Sequence, residues 1–310
     1  MHLQIHEITK TSAQKILLDD LEWKCSQKGV YGLLGDESSG KRELFYILSG
    51  YTRPDKGKIF LDAQESSIKE RKSKISYIPP KLSFYPDIKV KEYLEAFVQV
   101  LGIPRKKRAY RVDEEWAYLN WKDKENYFLH QLSYVQQKKL YLAVRLLADP
   151  SILLLDHFIE DLQEEDYKEM EDYLECIQNR EKIVIISSAN LSCLSPFCYH
   201  IAILKEGKIL KEGILDDILD DLYQVRLLEI EVLSEVEKTK TLLNTELKVN
   251  HFSWKGKKFY LNFSGTAKDQ FELLQKLLES GVPILRYEEV RSKEKREFLK
   301  LGGTAVIGDD

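Results

Sequence analysis

Apolar positions along this chain fall into short runs of two kinds. Leu3–Ile8 alternates with polar neighbours at period two, which predicts a strand with one face in water. Val30–Leu34, Ile152–Leu155 and Ile183–Ile186 are unbroken instead, and Ile75–Ile78 is a short apolar strand stopped by Pro79-Pro80. Continuous apolar runs this short predict strands buried on both faces, as in a parallel sheet covered by helices. Between these runs the apolar spacing becomes helical, with helices expected from near Arg42 to Gly50 and over Val90–Leu101, Leu132–Leu147 and Asp161–Ile177. Further strands are expected at Leu21–Cys25 and Lys58–Ala63, with a strand pair, Ile201–Leu204 and Lys208–Leu210, around Glu206-Gly207. Strands alternating with helices in this way make an α/β architecture.

The texture changes near Arg226. Leu227–Leu233 reads as strand, Glu235–Thr245 as helix and Val249–Phe263 as a hairpin turning at Lys255-Gly256-Lys257. Lys268–Glu279 then reads as helix and Pro283–Val290 as strand. That β-α-β-β-α-β order is the ferredoxin-like split motif. A last helix is expected at Lys293–Leu301. The chain therefore divides into residues 1–219, with a helical portion at about 85–148, and a small α+β domain at 220–310.

Composition narrows the function. The 310 residues are 43% hydrophobic and carry a formal net charge of −4, which argues against a general nucleic-acid binder. No apolar run approaches the roughly 20 residues that cross a bilayer, and the N-terminus lacks a signal-peptide apolar region. Cys25, Cys176, Cys193 and Cys198 show no CxxC pairing or zinc spacing, so they are expected as reduced thiols of a cytoplasmic protein, packed as small hydrophobes. Arg105–Arg111 holds five basic residues in seven. It reads as a docking patch for acidic partners or lipid headgroups, or as a solvated first helical turn, and the acidic Asp113–Glu115 that follows favours the second.

The chemistry gathers in the loop between Leu34 and the helix after it. Gly35–Lys41 spells G-x-x-x-x-G-K, the phosphate-cradling loop up to its last letter. Gly35, Ser38, Ser39, Gly40 and Lys41 keep the backbone nest and the ammonium that meet phosphate oxygens. The next residue, normally a Ser or Thr whose hydroxyl ligates Mg²⁺, is Arg42, and Glu43 follows it. Asp36 and Glu37 add negative charge. The Arg42 guanidinium is one candidate for the place of the ion.

Motif spacing and neighbouring residues resemble the ATPase subunit of an ABC transporter over nearly the whole chain. The resemblance implies a P-loop ABC-ATPase cassette with a helical subdomain, and it gives each departure a meaning. The adenine-stacking aromatic aligns with Ser12, and the Q-loop glutamine with Pro80. The L-S-G-G-Q signature falls on Leu132-Ser133-Tyr134-Val135-Gln136, where side chains at Tyr134 and Val135 are expected to obstruct a γ-phosphate. Ile152–Asp156 is the Walker B strand, but the catalytic glutamate after it is His157. The D-loop aspartate falls on Gln163 and the switch histidine on Ala189. The C-terminal domain, ending in EFLKLGG, resembles the accessory domain of exporter-type cassettes.

Because such cassettes work as head-to-tail dimers, the resemblance implies a subunit on the cytoplasmic face of the membrane. Its partners would be transmembrane permease subunits and a second, intact ATP-binding subunit, whose nucleotide would face Leu132–Gln136. ATP is the implied ligand, held weakly or not at all, and Arg42 argues against Mg²⁺. Two other readings stay open: a pseudo-ATPase scaffold at the membrane that transports nothing, and a slow ATPase using His157 as base.

Overall fold

The computed structural model describes residues 1–13, 15–81, 86–121, 123–218 and 226–289. The expected helix at Lys293–Leu301, the end of the last strand at Val290 and the expected boundary near residue 220 lie outside them. Contacts divide the chain into Met1–Gly213 and Ile214–Asp310.

The first unit is built on two sheets. Strands β1 (Leu3–Ser12), β2 (Lys15–Cys25), β4 (Lys56–Leu61) and β5 (Gln64–Glu65) form an antiparallel sheet in the order β2-β1-β4-β5. Strands β3 (Gly29–Leu34), β6 (Ile75–Ile78), β7 (Ile152–Asp156), β8 (Ile183–Ser188), β9 (His200–Lys205) and β10 (Lys208–Ile214) form a sheet in the order β10-β9-β3-β8-β7-β6. The first and second strands run longer than alternation predicts, because backbone pairing continues along their hairpin, Lys10 with Leu18 and Thr11 with Ile16. Lys10 and Thr11 are also fastened to the Asp55 carboxylate at 2.8 Å.

The unbroken apolar runs are the parallel strands of the second sheet, and β7 and β8 are buried at every position. Their register places the candidate site. Asp156 pairs with Ser187, Leu34 with Ser188 and Ile78 with Leu155. The carboxyl ends of β3, β6, β7 and β8 therefore meet, which is where α/β sheets bind ligands. Helix α1 (Lys41–Leu48) starts there and buries Leu44, Phe45, Ile47 and Leu48 in a core shared with both sheets.

The helical portion holds α3 (Val90–Val100), α4 (Arg105–Leu119) and α5 (Tyr134–Leu146), after the short α2 (Ile68–Lys74). Helix α5 begins two residues later than its apolar spacing suggests, because the Ser133 hydroxyl and the Gln136 side chain cap it reciprocally. In the basic stretch, Arg105, Lys106 and Lys107 are exposed, whereas Arg108 donates to the Ile103 carbonyl and Arg111 pairs with Glu114 and Asp149. Helices α6 (Glu164–Asn179) and α7 (Leu191–Leu194) complete the unit. No helix among the described residues is long and apolar enough to cross a membrane. The four cysteines are free.

In the second unit β11 (Arg226–Val232), α8 (Val236–Thr245), β12 (Val249–Lys255), β13 (Lys258–Phe263), α9 (Ala267–Glu279) and β14 (Ile284–Glu289) follow the split β-α-β order. The sheet order is β12-β13-β11-β14, and Leu228, Ile230, Phe259, Leu261, Leu243 and Leu273 are among the side chains of its core.

Helices α4 and α6 are joined by an ion pair that water does not reach. The Glu115 carboxylate is fully buried and takes two bonds from Arg180, at 2.7 and 3.1 Å. Burial pushes the Glu115 carboxyl up, and the Arg180 bonds oppose that rise. Arg180→Ala leaves a buried carboxylate unpaired and is expected to lower the unfolding free energy by about 3–5 kcal/mol, measured by chemical denaturation.

Candidate functional site

The loop after β3 closes on itself. Gly35 and Gly40 are required by space: a Cβ on Gly35 would lie 2.4 Å from the Leu204 carbonyl oxygen, and one on Gly40 2.4 Å from that of Leu17. Gly40 also sits at φ 99°, a left-handed conformation suited to glycine. The Lys41 side chain is buried and turns back, its Nζ 2.5 Å from the carbonyl oxygens of both Gly35 and Asp36. Burial pushes its ammonium down, and the carboxylates of Asp36, Asp156, Glu160 and Glu37 pull it back up. The Asp36 carboxylate accepts from the Ser38 amide and the Ser38 hydroxyl, each at 2.8 Å. The buried Ser39 hydroxyl donates to the Asp36 carbonyl at 2.8 Å. One amide that would face a phosphate is thus held by an internal carboxylate. No side chain caps α1, so its first-turn amides remain directed at the loop.

Asp156, at the end of β7, is fully buried. Its Oδ1 accepts from the Ser187 hydroxyl at 2.8 Å, and its Oδ2 from the Tyr77 hydroxyl at 2.9 Å and from Arg42 Nε at 3.3 Å. Burial first, and then the Asp156 charge, pushes the Tyr77 hydroxyl far up. The bond to Asp156 holds the Arg42 guanidinium charged. Mg²⁺ demands an octahedron of oxygens at about 2.1 Å. Here both carboxylate oxygens already accept protein donors, and the neighbouring side chain is a cation that offers no lone pair. These residues do not fit the ion.

His157 follows at φ 49°. Its amide donates to the Ser187 hydroxyl at 3.1 Å, and its Nδ1 lies 2.8 Å from Glu160 Oε1. The same oxygen accepts from the Ser188 hydroxyl at 2.6 Å and from the Ala189 amide at 3.0 Å. Burial pushes the Glu160 carboxyl up, but these donors outweigh it and hold the group below its usual range. One carboxylate therefore links His157 to Ala189.

The Leu132–Gln136 segment is separate. Ser133 is committed to capping α5. Tyr134 is half-exposed and donates its hydroxyl to Asp161 at 3.1 Å, with its own ionisation pushed up to about 12 by burial and by Asp161. Val135 is buried, which corrects one expectation: its side chain packs into the subunit's interior and does not stand over a partner's phosphate. Leu132 is buried as well. Pro80 is half-buried just beyond β6, and Ser12, near the turn of the β1–β2 hairpin, is exposed and brings no ring to the site. Glu43 lies in the first turn of α1, and Gln163 precedes α6. Lys138, one turn into α5, is fully buried; it donates to the Phe158 carbonyl and lies 4.5 Å from the Phe158 ring centre and 4.9 Å from that of Tyr134. Helix α5 is thereby fastened to the segment after Asp156.

Motif spacing alone misses Tyr77 and Glu160. Tyr77 is detectable as a hydroxyl one residue before the end of the strand that pairs with β7. Glu160 carries only the weak signal of a carboxylate three residues after a histidine.

Residues 18–159 match the ABC transporter family. An uncharacterised ABC transporter ATP-binding protein of Methanocaldococcus jannaschii is 26% identical over 219 residues, 70% of this chain and 79% of that protein. The bacitracin transport ATP-binding protein of Bacillus licheniformis is 25% identical over 305 residues, 97% of each chain. Among solved structures, CbiO1 of Clostridium perfringens, part of an ABC transporter complex, overlays with a TM-score of 0.64 at 20% identity over 71% of this chain and 90% of that one, a likeness of fold.

Two measurements bear on the loops. Asp36→Ala releases the Ser38 amide and removes a negative charge, and is expected to tighten ATP binding about tenfold in a fluorescence titration. Burial holds the Lys138 ammonium down to about 8. The unfolded chain then keeps a proton that the folded chain releases between about pH 8 and 10, so Lys138 makes stability rise across that window by up to about 3 kcal/mol. Lys138→Met is expected to remove that rise from denaturation curves recorded as a function of pH.

Proposed function

The chain is an ATP-binding subunit of the ABC transporter family, and from that premise we propose that it is a hydrolysis-deficient member working beside an active ATPase. One observation carries the proposal. Hydrolysis needs a group to orient the attacking water and a cation to neutralise the phosphates. The position after Asp156 holds His157, whose ring is bound to Glu160, and that carboxylate is already committed to Ser188 and Ala189 as well.

A homodimer would pair two such sites. A heterodimer with an intact subunit keeps one driven site, formed by the partner's loop and this chain's Ser133–Gln136 end of α5. Likeness to the bacitracin transport protein along both units supports a role in transport, and likeness to lipopolysaccharide and Nod factor export ATP-binding proteins supports export. Its place is the cytoplasmic face of the membrane, docked on permease subunits, where it passes closure between the two ATP-binding subunits and the transmembrane part.

A second reading, a slow ATPase, has one observation in its favour: the Glu160–His157 bond is how a carboxylate holds an imidazole as a base. Turnover assays decide between the two. The chain alone is expected to show no ATP hydrolysis with Mg²⁺. The complex co-purified from its native membrane is expected to hydrolyse ATP, with little loss in Lys41→Ala and complete loss when the partner's loop lysine is changed. Turnover by the isolated chain, abolished by both Lys41→Ala and His157→Ala, would overturn the proposal.

A further inference from the structure

Arg42 is held at the site by only one of its donors. Nε reaches Asp156 Oδ2, and the side chain as a whole is 54% exposed beside a carboxylate that is fully buried. Its two terminal nitrogens have no hydrogen-bond partner among the described residues and form a planar fork that matches a pair of phosphate oxygens. The fork stands on the second residue of α1, whose first-turn amides are uncapped and directed at the same loop. Asp156 keeps Arg42 in place in the way a carboxylate keeps a metal, but the cation is covalently part of the chain. A metal brought in on a nucleotide would meet a like charge and a carboxylate whose oxygens are already taken.

We propose that this site takes a nucleoside triphosphate free of metal, with the Arg42 guanidinium, anchored on Asp156, as the fixed counter-ion for its terminal phosphates. Mg²⁺ then competes with the protein for the nucleotide and does not assist its binding. The inference rests on the reading of the chain as a non-hydrolysing ATP-binding subunit and gives that subunit its ligand form. It also assigns the site a holding role: without a divalent ion, and with Glu160 committed to His157, Ser188 and Ala189, no water is activated and the nucleotide stays intact.

The test is a titration of the full chain with a fluorescent ATP analogue, once in EDTA and once in excess Mg²⁺, with hydrolysis measured on the same samples. Wild-type affinity is expected to be tighter in EDTA. Arg42→Ala is expected to weaken binding in EDTA by about tenfold or more, the scale of a lost charge-assisted hydrogen bond. Because that change leaves Asp156 without its cation, folding is checked by thermal melting, and Arg42→Lys, which keeps the charge, is expected to recover part of the affinity. Arg42→Ser restores the hydroxyl and frees Asp156, and is expected to reverse the sign, so that Mg²⁺ tightens binding by about tenfold or more. Mg²⁺-tightened binding to the wild type without turnover overturns this inference and leaves the non-hydrolysing reading standing. Turnover by the wild type overturns that reading itself. Failure of the wild type to bind in either condition, or unchanged affinity in folded Arg42→Ala, also overturns the inference.

Discussion

A carboxylate that water does not reach needs donors or a cation, since stripping it of solvent costs several kcal/mol. Asp156 is such a group, and the site is arranged around it. Ser187 comes from the neighbouring strand, Tyr77 from the strand on the other side and Arg42 from the first turn of α1. Tyr77 in turn packs edge-on against Tyr46, Phe45 and Tyr51, with ring centres 5.3, 6.4 and 6.0 Å away. The place where a hydrolysing cassette holds its ion is thus joined to the core by an aromatic cluster. Tyr77 and Arg42 share one carboxylate oxygen, so changing Arg42 leaves that oxygen a single, neutral donor.

The same economy governs both loops beside it. Lys41 and Asp36 satisfy the phosphate loop from within, and Glu160 satisfies the segment between His157 and Ala189. A ligand must displace these internal partners before gaining contacts of its own, which lowers apparent affinity without distorting the fold. Helix α5 is tied to the segment after Asp156 through Tyr134–Asp161 and Lys138–Phe158. A push on the Ser133 end of that helix therefore reaches the segment carrying His157 through two bonds. That is a physical route by which a subunit that does not turn over could still relay closure.

The fold was legible because its signals are local. Unbroken Val, Ile and Leu runs mark the parallel strands, and glycines that only a Cβ-free residue can occupy mark the loop. Element ends were less so: the β1–β2 hairpin outlasts its alternation because Lys10, Thr11 and Ile16 pair across it, and α5 waits for its Ser133 cap. At the site, spacing identifies which side chains stand at each motif position but not what they bind. Nothing in the order of residues announces that Tyr77 reaches across a strand to Asp156, that Asp36 folds back onto Ser38, or that Val135 turns inward. Those are consequences of register and of burial, which make the buried polar groups around Asp156 find partners inside the protein.

The central claim, that a guanidinium occupies the place of the ion, is tested most directly by a crystal structure grown with ATP and Mn²⁺, with anomalous scattering recorded for the metal. The account predicts a nucleotide whose terminal phosphates contact Arg42, with no anomalous peak within bonding distance of Asp156. A manganese peak on the Asp156 carboxylate, with Arg42 swung away into solvent, would contradict it.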